Sequence, residues 1–249
     1  MVHILLIYRD SGSAISLIKP FAGLRPVAGR AADVAAPPYD VLNAAEARQR
    51  SAGKPWSFLH ISRTEIDLPD NVDAYDPSVY AKGRENLDRM IAEGVLVRDE
   101  TACYYAYRLT LGQHVQTGLV AGGSVEAYDQ GRIKKHEFTR PVKEDDRVRQ
   151  IDALNAQTGP VFLVYPANAK VDDILREVTV SPAEVDVTAE RDGATPRPAF
   201  CRCRSNRNRG HLARPFFFGV KRTCRADYSL ARLRRQQRGV EKNSRAVVQ

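Results

Sequence analysis

No apolar run in this 249-residue chain approaches the roughly eighteen residues a membrane-spanning helix needs. The opening run His3-Ile-Leu-Leu-Ile-Tyr8 is too short for the apolar part of a secretion signal. It also lacks a basic stretch before it and a small-residue cleavage site after it. The run predicts a short strand or an unstructured leader, and the chain as a whole a cytoplasmic protein with no membrane partner. Cysteine is scarce, four in all, which excludes a disulfide framework. Cys103 falls inside a strand-like run and predicts a buried, inert thiol. Cys201, Cys203, His211 and Cys224 match no common zinc-ligand spacing, so no metal ligands are assigned. There is no internal repeat, and no regular alternation of strands and helices that would build a parallel sheet.

What is present is ordinary globular composition, 43% apolar and 27% charged, enough for one large domain or two small ones. The net charge of +8 hides two unlike parts. Residues 197–249 hold thirteen Arg and two Lys against one Asp and one Glu, a net of +13, while residues 1–196 carry −5. An acidic body is joined to a basic tail.

Along the body, Pro37 and Pro38 exclude helix and predict a turning segment through Tyr39 and Asp40. Asn43, with Glu46 three residues on, reads as the capping box of a helix that Gly53 ends. Residues 57–62 alternate like a short strand. Asp76-Pro77 opens a helix whose buried face would carry Val79, Tyr80, Gly83, Leu87, Met90 and Ile91, with Gly94 as its stop. Residues 95–97 are strand-like, residues 104–109 and 115–120 read as a hairpin, and residues 125–128 would extend the sheet. A helix over 142–157 buries Val148, Ile151 and Leu154. A strand over 161–165 and a helix over 171–178 follow. From about Pro196 the regularity stops. The expected fold class is α+β: a mixed, largely antiparallel sheet with flanking helices, then an irregular C-terminal tail.

The densest polar stretch is His136 to Arg147, with one imidazole and four carboxylates among cations, where a loop enters a helix. His136 can take or give a proton near neutral pH, and Glu137 and Glu144 complete a candidate catalytic set. Arg140, Lys143 and Arg147 are suited to phosphate or carboxylate. Tyr39 could stack on a base or ring and Asp40 bind a cation or a hydroxyl, with Asn155 and Thr158 as further polar candidates at a helix end. The competing reading is a solvated helix start, its charges paired at spacings such as Asp145 to Arg149, with Asp145 and Asp146 exposed. His60 and Arg63 form a weaker group, His60 reading as a hydrogen-bonded core residue and His114 as an exposed turn residue.

Six strings occur in order: IKPFAGLRP from Ile18, VAAPPYDV from Val34, SFLHISRTEIDLP from Ser57, QTGLV from Gln116, IKKHEFTRPVKEDDR from Ile133 and ALNAQTGPVFLVY from Ala153. Together they resemble the bacterial family catalogued as domain of unknown function 1015, over residues 18–192. The resemblance divides the chain into a leader (1–17), an α+β domain (18–192) and a basic tail outside the family pattern, disordered by expectation (193–249). Family members carry an Asp-Gly-His-His-Arg string similar to that of free-serine kinases built on the ParB-like fold. The resemblance therefore implies phosphoryl transfer to a small-molecule substrate, with ATP or ADP and Mg²⁺ as cofactors. This chain lacks the string; Gly210-His-Leu-Ala-Arg214 shares letters but not its spacing. Its kinase-like domain is accordingly expected to be incomplete, truncated by a reading-frame shift that also produced the tail. The alternative is a nucleic-acid-binding protein acting through that Arg-rich tail.

Overall fold

The computed structural model describes residues 2–8, 17–111, 113–134, 140–191 and 194–201. The first half runs β1 (Val2–Tyr8), β2 (Ile18–Lys19), β3 (Leu24–Pro26), α1 (Ala31–Val34), α2 (Ala44–Ser51), α3 (Leu59–Ser62), a 3₁₀ turn (Thr64–Asp67) and α4 (Pro77–Ala92). The second half runs β4 (Leu96–Arg98), β5 (Tyr105–Leu111), β6 (His114–Ser124), α5 (Val125–Asp129), α6 (Pro141–Leu154), β7 (Val161–Val164), α7 (Ala169–Val178), β8 (Val185–Arg191) and β9 (Ala194–Cys201). This is an α+β fold.

The main sheet has the order β7-β1-β6-β5-β9-β8. The hairpin of β5 and β6 is its spine, Tyr105 opposite Val120 and Leu111 opposite His114. Beyond Tyr105, β2 takes over the same flank of β6, with Ile18 opposite Gly123. β1, which precedes the family-like region, runs parallel to β6 and antiparallel to β7. β3 and β4 form a separate two-stranded sheet.

Under the hairpin, Tyr105 is 1% exposed and its hydroxyl accepts the Gly23 N–H at 2.6 Å. The same oxygen lies 3.0 Å from Asp99 Oδ2, and Asp99 Oδ1 takes Arg25 Nε at 2.7 Å. A Cβ on Gly23 would stand 2.7 Å from that phenol oxygen, so the close approach needs glycine.

The second core lies among the helices. Val34, Ile61, Leu87, Met90, Val95 and Leu154 bury against one another, joining α3, α4 and α6. Full burial of such a side chain contributes about 1.5–3 kcal/mol. α4 begins as its sequence predicts, with Asp76 capping the Ser78 N–H and Pro77 in the first turn. α2 carries the predicted capping box between Asn43 and Glu46.

Four expectations are corrected. Residues 57–62 are not a strand: Ser57, Phe58, Leu59 and Ile61 are all buried, and the segment turns into α3 beneath α4. A short apolar run does not distinguish strand from buried helix, and packing against α4 decides it. Residues 125–128 turn into α5, because Ser124 caps the Ala127 N–H and ends the strand. Ile91 is 43% exposed, while the polar Asn86 takes its place on the buried face of α4. Regularity continues to Cys201, since β9 pairs with β5 and β8.

Candidate functional site

α6 opens with Arg140 at its cap and Pro141 in its first turn. Its residues Lys143, Asp146, Arg147, Gln150 and Leu154 recur at helical spacing and face α4 and the 3₁₀ turn. Between them lies a pocket of about 50 Å³. Ser62, Arg63, Thr64 and Glu65 form its opposite wall, Tyr80 and Gly83 of α4 its floor, and Tyr39 and Tyr75 reach it from two loops.

Each loop tyrosine meets one cation of α6. The Arg147 guanidinium stacks 4.2 Å above the Tyr39 ring. Tyr39 stands in the predicted turn, closed by the Val41 N–H donating to Pro38 O at 3.3 Å. One helical turn earlier, Lys143 Nζ donates to the Tyr75 hydroxyl at 3.2 Å. It lies 5.7 Å from that ring's centre, in front of the hydroxyl and not over the ring face.

Below this rim the α6 side of the pocket is paired, while Ser62 Oγ and Arg63 Nε on the opposite wall are buried with no hydrogen-bond partner among the described residues. Arg147 Nε and Nη2 donate to Asp146 Oδ2 at 3.1 and 2.7 Å, and Nη1 donates to Gln150 Oε1. The Tyr80 hydroxyl donates to Asp146 Oδ1 at 3.0 Å, and Gln150 Nε2 to Ile61 O at 2.8 Å. Burial first, and then the Asp146 carboxylate, push the Tyr80 phenol well above its ordinary value, so it stays protonated. Arg63 pairs with Glu65 at 3.0 Å. Both carboxylates of the pocket are therefore engaged by arginines, while Lys143 has no carboxylate partner among the described residues.

Of the residues picked out in the sequence, Tyr39, Arg63, Lys143 and Arg147 come together here. Arg140 is exposed at the helix cap, Asp40 is exposed, and half-buried Glu144 lies outside the lining. Asn155 is exposed at the far end of α6, in the left-handed region (φ 47°), and Thr158 lies beyond it. His136 and Glu137 lie outside the described residues. Asp146 is the main correction: expected in solvent, it is 7% exposed, because Tyr80 and Arg147 bracket it. Sequence reasoning missed Tyr75, Tyr80 and Gln150 as site residues. Asp146 and Gln150 share the face of α6 that ends in Leu154, and polar residues on an apolar stripe were the available signal. His60, as expected, is hydrogen-bonded, with Nδ1 at 2.8 Å from Asp67 Oδ1, although in a helix and not a strand.

The family model described as "Protein of unknown function (DUF1015)" matches residues 18–200. The chain belongs to that family. The DUF1015 match encloses the pocket and runs through β9 almost to its end at Cys201. No curated protein and no solved structure matches this DUF1015 chain. No helix among the described residues is long and apolar enough to cross a membrane.

Proposed function

We propose that this chain recognises a small anionic molecule, whose charged group lies in the pocket between α4 and α6. The carrying observation is the Lys143 ammonium, at the pocket rim with only a phenol for a partner among the described residues. An ammonium so placed attracts a phosphate or carboxylate, and the Arg147–Tyr39 stack supplies a preorganised wall beside it. A pocket of about 50 Å³ accepts such a group and not a whole nucleotide. Sites enclosing drug-sized ligands span roughly 300–1,000 Å³.

The phosphoryl-transfer reading that the family resemblance implies also needs ATP or ADP and a divalent cation. The residues of the pocket do not fit the cation. Asp146 and Glu65 are held by Arg147 and Arg63, and no cluster of three or more His, Cys, Asp or Glu side chains exists among the described residues. Substrate recognition is the part of that reading the pocket supports.

Thermal unfolding of the full chain, with and without added anions, tests the proposal. Inorganic phosphate or acetate should raise Tm, and Lys143→Ala should remove the rise. Neither anion raising Tm would overturn the reading. So would a rise with ATP and Mg²⁺ that phosphate alone does not produce.

A further inference from the structure

Tyr75 sits on the loop between the 3₁₀ turn and α4, shaped by Asp73. Asp73 Oδ1 accepts the Tyr75 N–H at 2.8 Å, and Asp73 O accepts the Asp76 N–H at 3.0 Å. The loop backbone is thus set before the helix begins, and it carries the phenol across the pocket to α6, sixty-eight residues away in sequence. The ring is half-buried in the pocket wall.

The direction of the hydrogen bond matters most. Lys143 can only donate, so the Tyr75 oxygen is the acceptor in their 3.2 Å contact. The phenol's own proton is left over, and it has no acceptor among the described residues. Two of the three ammonium hydrogens are likewise uncommitted there. The neighbouring pairs differ. The Tyr80 proton is committed to Asp146, and each Arg147 nitrogen already donates to Asp146 or Gln150, using three of its five N–H groups. Tyr75 and Lys143 therefore offer uncommitted donors within a hydrogen bond of each other, while the opposite wall holds two more groups unpartnered among the described residues, Ser62 Oγ and Arg63 Nε.

We infer that Tyr75 is a ligand-binding residue, and that with Lys143 it forms a paired donor for one compact oxyanion, a phosphate or a carboxylate. The O–H and one N–H would reach two oxygens of the same group, or share one. This inference rests on the proposed anion pocket and adds to it a recognition residue and a ligand class. A neutral ligand would leave the ammonium uncompensated, and a bulky one would not enter.

Isothermal titration of the full chain with inorganic phosphate and, separately, with acetate tests it. The variants are Tyr75→Phe, Lys143→Met and the double variant, each checked for an unchanged Tm. Tyr75→Phe should weaken whichever probe binds by about tenfold or more, as expected for a lost hydrogen bond to a charged group. It should also weaken the residual binding of the Lys143→Met chain, because Tyr75 touches the anion itself. Loss of the Tyr75→Phe effect in the Lys143→Met background would overturn the inference, leaving Tyr75 as a support for the lysine. Binding abolished by Lys143→Met but indifferent to Tyr75→Phe would overturn the inference and leave the pocket reading standing. Binding of neither probe, or binding unaffected by any variant, would remove the pocket reading and this inference together.

Discussion

At the scale of single residues, the two adjacent carboxylates of α6 separate by environment. Asp145 is half-buried, whereas Asp146 is buried between the Tyr80 hydroxyl and the Arg147 guanidinium. Asp146→Ala would leave a mostly buried arginine short of its counter-charge and a buried phenol without an acceptor. We expect a loss of about 3 kcal/mol in denaturant unfolding, against within about 0.5 kcal/mol for Asp145→Ala. Equal effects would mean that the bracket around Asp146 does not form. Asp67 presents a second residue-scale case. Burial by itself would raise its pKa. The hydrogen bond and charge of His60, the Asn86 amide and the Lys82 ammonium more than offset that, holding the carboxyl below the ordinary 3.8. A carboxyl depressed in the folded state adds stability that is present above its unfolded pKa and lost as pH falls through the folded one. The chain should therefore lose stability below about pH 3.8, and Asp67→Asn should flatten that acid limb in a series of melts. An unchanged limb would mean that other carboxylates carry it.

At the scale of elements, the pocket depends on how closely α4 approaches the 3₁₀ turn. Gly83 is the point of contact: an added Cβ would lie 3.0 Å from Thr64 Oγ1 and 3.6 Å from Leu154 Cδ2. Thr64 cannot easily move away, because its hydroxyl donates to Ile61 O at 2.9 Å. Gly to Ala inside a helix ordinarily gains about 1 kcal/mol. Here Gly83→Ala should gain nothing or destabilise, and the gain should reappear in a Thr64→Ala background, a coupling that a double-mutant cycle measures. Additive effects would place the two elements further apart. α4 itself was legible from Asp76-Pro77 and its apolar spacing, and the hairpin from alternation about a turn. The 3₁₀ turn and α3 were not, since four buried residues within five look alike in a strand and in a covered helix.

At the scale of the whole molecule, charge divides the chain into two unlike parts. The body carries −5 over residues 1–196, and residues 197–249 carry +13. Thirteen arginines predict affinity for RNA that falls steeply with salt, because each neutralised phosphate releases counterions. Binding of inorganic phosphate in the pocket involves one or two cations and should fall only gently. In filter binding from 50 to 300 mM salt, RNA affinity should collapse and be indifferent to Lys143→Ala, while phosphate binding should show the reverse. RNA binding abolished by Lys143→Ala would place nucleic acid in the pocket and sink the separation.

Local chemistry alone determined much of this protein: the cap of α4, the capping box of α2, the β5–β6 hairpin, the α+β class and the family, because each rests on neighbours in sequence. Four members of the pocket, Tyr39, Arg63, Lys143 and Arg147, were also visible as residue types. Which donors remain free was decided only in three dimensions. Asp146 is buried because Tyr80, sixty-six residues earlier, donates to it, and Tyr75 meets Lys143 across a similar distance. Partnership between side chains that far apart depends on how α4, α6 and two loops pack, and a linear pattern carries no record of which hydrogen-bonding groups that packing uses up.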